Sequence, residues 1–240
     1  MLSRTRARMT TETRELRPNA GPQEQFLSTP ADIAIYGGAA GSGKSFAITL
    51  DVLRHVHRKG FGAIVFRREF RRLVGSGSVW EEMQGIYPML PDPPKSNKGD
   101  LSWRFQSGAL VELSNLQYES DKFAHQSKQY AGVYFDELTE FSEGQFWFLI
   151  SRLRTTIGIR PYVRATCNPD PDSFVRRLID WWIGSDGFPI RDRSGTLRWF
   201  VRDGDDLVWF DREHEARAAY PHRNPMSLTF IAASLADNPK

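Results

Sequence analysis

The chain has 240 residues, 40% hydrophobic and 25% charged, with a formal net charge of +3. Such a composition is ordinary for a globular protein and leaves room for one large or two small domains around a sizeable core. It excludes a helical membrane protein, because no apolar run approaches the roughly twenty residues a spanning helix needs. No signal-peptide core follows the N-terminal arginines. The single cysteine, Cys167, excludes an internal disulfide and a multi-cysteine metal site, and a reducing compartment is its natural setting. The basic excess permits a polyanionic partner without demanding one.

In chain order, Arg4, Arg6, Arg8, Arg14 and Arg17 fall in a stretch with little apolar periodicity. Residues 1–20 therefore read as a flexible basic arm, either simply solvated or touching nucleic acid or a partner. Phe26 and Leu27 can anchor a short helix, and residues 33–36 form a short buried strand. A glutamine at this place can read the donor and acceptor edge of adenine with its side-chain amide, and Gln23 is the candidate.

Residues 33–48 read IAIYGGAAGSGKSFAI: an apolar run, a glycine-rich turn ending in Gly-Lys-Ser, and a continuation able to form a helix. Between Gly38 and Ser45 the string fits G-x-x-x-x-G-K-[ST], the phosphate-binding loop of nucleoside triphosphatases, in the strand-before and helix-after context that motif requires. Gly38, Ala39, Ala40, Gly41, Ser42 and Gly43 supply the loop, whose glycines let successive N–H groups turn inward around phosphate oxygens. The helix beginning near Lys44 aims unpaired N–H groups at the same anion. Lys44 can reach the β and γ phosphates, and the Ser45 hydroxyl is placed to ligate magnesium.

The helix after the loop is expected to stop near Lys59-Gly60, followed by a second buried strand over residues 63–66. That strand ends in RREFRRL, with Arg67 and Arg68 at the carboxyl end where ligands of open α/β sheets sit. Either they approach phosphate or DNA, or they open a solvated helix. Residues 101–113, LSWRFQSGALVEL, alternate around Ser107-Gly108 and read as a β-hairpin added to the main sheet, packed through Trp103, Phe105, Leu110 and Val111.

The second anchor is AGVYFDELTE, residues 131–140. Val133, Tyr134 and Phe135 make a third buried strand, whose end presents Asp136 for the metal and Glu137 to polarise an attacking water. In the helix that follows, Phe141, Phe146, Leu149, Ile150 and Leu153 face the core. Arg152 and Arg154 either close that helix, where positive charge suits a C-terminus, or act as arginine fingers on a neighbouring subunit. Residues 161–167 form a fourth strand ending in TCNP, with Thr166 and Asn168 at its carboxyl end, where the Asn168 amide could contact a γ-phosphate or its attacking water. Cys167 reads as a small buried residue. Residues 173–183 look like an amphipathic helix with Ser173 as cap, and beyond residue 184 strand-like runs suggest a small β meander outside the main sheet.

Together, PQEQFL, GGAAGSGKS, FRREF, GVYFDELTEF, SRLR, ATCNP and the terminal TFIAASLADNP resemble the ATPase half of a tailed-phage terminase large subunit, over nearly all of residues 21–240. The resemblance implies an α/β P-loop NTPase of the ASCE type: a mostly parallel central sheet flanked by helices, with an added hairpin and a small C-terminal β-rich lid or linker subdomain. The expected division is a core at 21–183 and the subdomain at 184–240, without the nuclease domain that follows in such proteins. It further implies ATP and Mg2+ as cofactors, and hydrolysis coupled to packaging of viral double-stranded DNA in the cytoplasm of an infected bacterial host. The partners it implies are the procapsid portal protein, the terminase small subunit and further copies in a ring, expected to be a pentamer, with no membrane. Glu137, Lys44 and an arginine drawn from Arg68, Arg152 or Arg154 are the expected catalytic set, with Asn168 as coupling sensor. Some terminases carry an arginine inside the phosphate loop; Ala39 and Ala40 stand there here. A helicase- or recombinase-like ring ATPase and a non-hydrolysing nucleotide-gated scaffold remain the alternatives.

Overall fold

Apolar runs too continuous to alternate between core and solvent have to be covered on both faces, and a sheet of parallel strands between two helical layers does this. A computed structural model describes residues 16–38, 41–168 and 170–238. The strands are β1 (Ile33–Gly38), β2 (Gly62–Arg67), β3 (Lys95–Asn97), β4 (Ser102–Arg104), β5 (Leu110–Asn115), β6 (Gly132–Phe135), β7 (Tyr162–Cys167), β8 (Arg198–Asp203), β9 (Asp206–Phe210) and β10 (Met226–Ala233). Among the described residues they form one sheet in the order β3-β4-β5-β2-β6-β7-β1-β10-β8-β9. The run from β5 to β10 is parallel throughout, and β3-β4 and β8-β9 extend its edges in antiparallel fashion. The helices are α1 (Pro22–Ser28), α2 (Lys44–Val52), α3 (Phe70–Val74), α4 (Val79–Ile86), α5 (Glu143–Ile150), α6 (Phe174–Leu178) and α7 (Glu213–Ala219). None of them is long and apolar enough to cross a membrane.

The period of two along each central strand sorts side chains between the layers. Ile33 and Ile35 of β1, Val133 and Phe135 of β6, Val163 and Ala165 of β7, and Leu228 and Phe230 of β10 face Phe146 and Leu149 of α5 and Val175 and Leu178 of α6. On the other face Ala63 and Val65 of β2 and Tyr134 of β6 pack with Ile48 and Val52 of α2 and Met83 and Ile86 of α4. Ala34 and Tyr36 meet Phe26 of α1 and Ala47 of α2 there. Each large apolar side chain removed from water in this way contributes about 1.5–3 kcal/mol. Two helices are fixed at their starts by Ser78 and Ser142, whose hydroxyls accept the N–H groups of Glu81 and Gln145.

The expected hairpin is β4-β5, with Trp103, Phe105 and Val111 buried. Two local expectations shorten: α2 gives way to a 3₁₀ turn at Leu53–His55, and α6 to another at Asp180–Trp182. The larger difference concerns the C-terminal strands. They do not form a meander apart from the main sheet: β10 lies parallel against β1, Ile33 opposite Leu228 and Ile35 opposite Phe230, and the β8-β9 hairpin continues the same sheet beyond it. The reason is visible in β10 itself, whose residues from Ser227 to Ile231 are all buried and need cover on both faces.

Close packing of β1 on β10 depends on Gly37, where a Cβ would stand 2.3 Å from Phe230 Cε2 and 2.4 Å from its Cζ. Gly37→Ala is expected to destabilise the fold by about 1–3 kcal/mol, read as a lower urea midpoint at unchanged slope.

Candidate nucleotide-binding site

All six central strands run the same way, so the loops leaving β1, β2, β6 and β7 gather at one edge of the sheet. The loop after β1 turns through left-handed conformations at Gly41 (φ +84°) and Gly43 (φ +74°), and Gly43 caps α2. Ala39 and Ala40 lie outside the described residues. The loop is held from behind by amides. Gln23 Nε2 donates to the Gly43 carbonyl (3.2 Å), Gln23 Oε1 accepts from the Asn19 N–H (2.8 Å), and Asn238 Nδ2 donates to the Gly41 carbonyl (2.7 Å). Asn19 Nδ2 closes this ring of contacts on Asn238 Oδ1 at 2.7 Å. Gln23 is thus buried with both ends of its amide engaged by the protein. Its place here is the back of the phosphate loop.

Lys44, the first residue of α2, is 7% exposed and extends its ammonium to the Gly38 carbonyl and to Asn168 Oδ1, both at 2.8 Å, with Glu137 Oε1 at 3.8 Å. Asp136 follows β6 and is buried. Its Oδ1 accepts the Thr166 hydroxyl (2.9 Å) and its Oδ2 the Arg67 Nη1 (3.1 Å). Burial pushes this carboxyl above the usual carboxylate range, against the opposing pull of Arg67 and Thr166. Glu137 has φ +60° and ψ +66°, a left-handed conformation that costs a residue with a side chain about 1–2 kcal/mol. Two contacts hold it there: its N–H donates to Thr166 Oγ1 (3.0 Å), and its Oε2 accepts the Asn168 N–H (3.0 Å). Ser45, Arg67, Arg71, Arg72, Asp136 and Glu137 line one cleft of about 330 Å³.

The structure therefore brings Lys44, Ser45, Asp136, Glu137 and Asn168 together, from segments as far apart as Lys44 and Asn168. It does not bring the three expected arginines with them. Arg68 turns to Gln145 Oε1 (3.2 Å) at the start of α5. Arg152 donates to the Gln126 carbonyl (2.6 Å) and lies over the Phe148 ring. Arg154 is exposed and its N–H bonds the Tyr130 carbonyl, at the amino end of β6, opposite the end that carries Asp136. Arg67, the last residue of β2, takes the position beside the carboxylates, with Arg71 and Arg72 on the cleft wall. The arginine-rich run was visible in the sequence, but only the strand's actual last residue decides which guanidinium faces β6. Thr166, Asn19 and Asn238 also had no assigned site role, since hydroxyls and amides leave no pattern that marks a partner far along the chain.

A parallel sheet with a lysine-bearing glycine loop on β1 and an acidic pair on β6, separated by one intervening strand, defines the class of P-loop nucleoside triphosphatase folds. The profile described as terminase large subunit, T4likevirus-type, N-terminal, matches residues 35–237, and the chain belongs to that family. Among solved structures it resembles the large terminase from a thermophilic bacteriophage, at 14% identity and a TM-score of 0.59 over 92% of this chain and 47% of that one. It also resembles the HK97 bacteriophage large terminase, at 11% identity and TM-score 0.53 over 66% of this chain and 35% of that one. A third resemblance is to the N-terminal domain of the DNA packaging ATPase from bacteriophage phi29, at 14% identity and TM-score 0.50 over 77% and 92%. The chain spans about half the length of the thermophilic phage protein. No curated protein matches it by sequence.

Cys167, one residue before Asn168, is fully buried and its thiol is pushed up to about 12 by that burial. Native protein at pH 8 is expected to resist iodoacetamide at this position and to react fully once unfolded in guanidinium, as mass spectrometry would report.

Proposed function

We propose that this chain hydrolyses ATP to drive viral double-stranded DNA into a procapsid, as the ATPase part of a terminase large subunit. The observation that carries the reading is the convergence of Lys44, Glu137 and Asn168 at the mouth of the glycine loop, with Asp136 and Ser45 lining the same cleft. The large terminase of the thermophilic phage has been solved in complex with ADP and with ATP-gamma-S, and adenine nucleotides are the ligands assigned here.

The residues fit a nucleotide. The loop glycines hold left-handed turns, and the buried Ser42 Oγ has no hydrogen-bond partner among the described residues. Lys44 is placed to transfer its ammonium from Asn168 and Gly38 to phosphate oxygens. Loss of the Lys44 contact frees the Asn168 side-chain amide, while the backbone N–H of the same residue holds Glu137 Oε2, so this residue links phosphate occupancy to the position of the base. Glu137, held in its left-handed turn, orients and polarises the water.

The residues also fit a magnesium ion held mainly by others. Among the described residues no group of three or more His, Cys, Asp or Glu side chains surrounds a common point. Ser45 and Asp136 would hold the ion, the remaining positions falling to phosphate and water. When bound, it supplies charge neutralisation at the phosphates.

Partners and place follow from this reading: double-stranded DNA, the portal protein, the small subunit and a ring of copies, a pentamer, in the host cytoplasm. Arg152 or Arg154 of one copy would then serve a neighbour's site, since neither lies near its own.

A phosphate-release assay with fluorescent nucleotide binding tests the catalytic assignments. Glu137→Gln should bind ATP normally and lose about 100-fold or more in turnover, whereas Lys44→Ala should lose binding as well. Wild-type turnover in Glu137→Gln would remove that residue from its role. DNA contact, made mainly to phosphates, should weaken steeply between about 50 and 200 mM salt in a filter-binding series.

A further inference from the structure

Arg67 has surroundings that ordinary fold stability does not explain. Its guanidinium is only 14% exposed and stands among three carboxylates: Asp136 Oδ2 at 3.1 Å, Glu140 Oε1 at 3.8 Å and Glu137 Oε1 at 4.0 Å. Glu140 has a better partner in Arg72 Nη1 at 2.6 Å. The Arg67 Nε is buried and has no hydrogen-bond partner among the described residues. This cation is therefore held by charge more than by a completed set of hydrogen bonds, on a side chain with several rotatable bonds that opens into the cleft lined by Ser45.

We propose that Arg67 is a built-in counter-cation of the metal position. Its guanidinium neutralises Asp136 while the cleft is empty and turns to the nucleotide phosphates when they arrive, so that divalent cation and nucleotide load together. This rests on the nucleotide-site reading above. Asp136 has both oxygens engaged, Oδ1 by Thr166 and Oδ2 by Arg67. A divalent ion approaching that carboxylate alone meets a positive charge already beside it, and the two repel in a site with little water to screen them. A triphosphate changes the balance. It carries more negative charge than the carboxylate, and a planar guanidinium fork suits phosphate oxygens. Drawn to the phosphates, Arg67 leaves Asp136 to the cation and adds a positive charge in cis to that of Lys44, the two cations standing 4.0 and 3.8 Å from the same Glu137 Oε1.

Two measurements on the purified chain, made separately, read the two halves of this exchange in opposite directions. In the first, Mn2+ is titrated into nucleotide-free protein and followed by electron paramagnetic resonance. Arg67→Gln should bind Mn2+ about tenfold or more tighter than wild type, and adding Asp136→Asn should abolish the gain. Arg67→Lys, which keeps a cation there, should stay near wild type. In the second, a fluorescent ATP analogue is titrated in excess EDTA, where Arg67→Gln should bind about fivefold or more weakly. Should Arg67→Gln not fold, Arg67→Met preserves the aliphatic stem and serves in both titrations.

Equal Mn2+ affinity in wild type and the neutral variant would overturn the proposal. So would a gain that survives Asp136→Asn, or metal-free nucleotide affinity that does not fall. Absence of nucleotide binding to wild type would instead overturn the functional reading, while the Mn2+ comparison, made without nucleotide, still decides the role of Arg67 in the empty site.

Discussion

One hydroxyl sets the geometry on which the site depends. Thr166 Oγ1 donates to the Asp136 carboxylate and accepts the Glu137 N–H, so a single side chain on β7 fixes the side chain of one acidic residue and the backbone of the next. The left-handed turn at Glu137 stores strain that this contact and the Asn168 N–H offset. The strand carrying Thr166 also lies between β1 and β6 in the sheet. It therefore spaces the glycine loop from the acidic pair by one strand width on either side, and supplies in Asn168 the group that bridges them.

Beneath the loop, rigidity comes from polar groups as well as apolar ones. Asp51 of α2 accepts the Tyr134 hydroxyl at 2.9 Å and Arg54 at 2.7 Å, Tyr134 meets Tyr162 at 2.8 Å, and the fully buried Arg164 donates to the carbonyls of Thr29 and Ala31. Burial raises both tyrosines well out of the range in which they ionise, so the network keeps its hydrogens at any ordinary pH. Most of the network's polar atoms are paired, Arg164 Nε standing 3.7 Å from Asp51 Oδ1 without a hydrogen bond among the described residues, and such a network favours the arrangement that leaves fewest charges and hydroxyls unpartnered. The helix that begins with Lys44 is thus tied to β6 and β7, the strands that carry the residues Lys44 must meet.

Where the candidate site is built from short local strings, their places in the fold were readable from the sequence. The loop's glycines, Lys44 and Ser45, the Asp136-Glu137 pair and the TCN strand end each depend on their own neighbours, and these strings fall at the strand ends where the motifs put them. What escaped reading depends on distant pairing. MSLTFIAA is as continuously apolar as β1, yet nothing local says that it docks beside β1 instead of forming a separate layer. RREFRRL offers four arginines, and the choice between Arg67 and Arg68 turns on a strand end one residue long. Gln23 has the composition of a base-reading amide, but its neighbours Asn19 and Gly43 claim both of its ends.

The amides that brace the glycine loop carry a consequence for how the protein is made. Asn238 and the Gly41 carbonyl it holds are 197 residues apart, and β1 lies between strands that begin at Tyr162 and Met226. During synthesis at about 5–20 residues per second, the loop waits on the order of ten to forty seconds after its own translation before its last brace exists. Until β7 is made β1 has two bare edges, until β10 is made it keeps one, and a nascent chain stopped short of Asn238 has the motif without that brace.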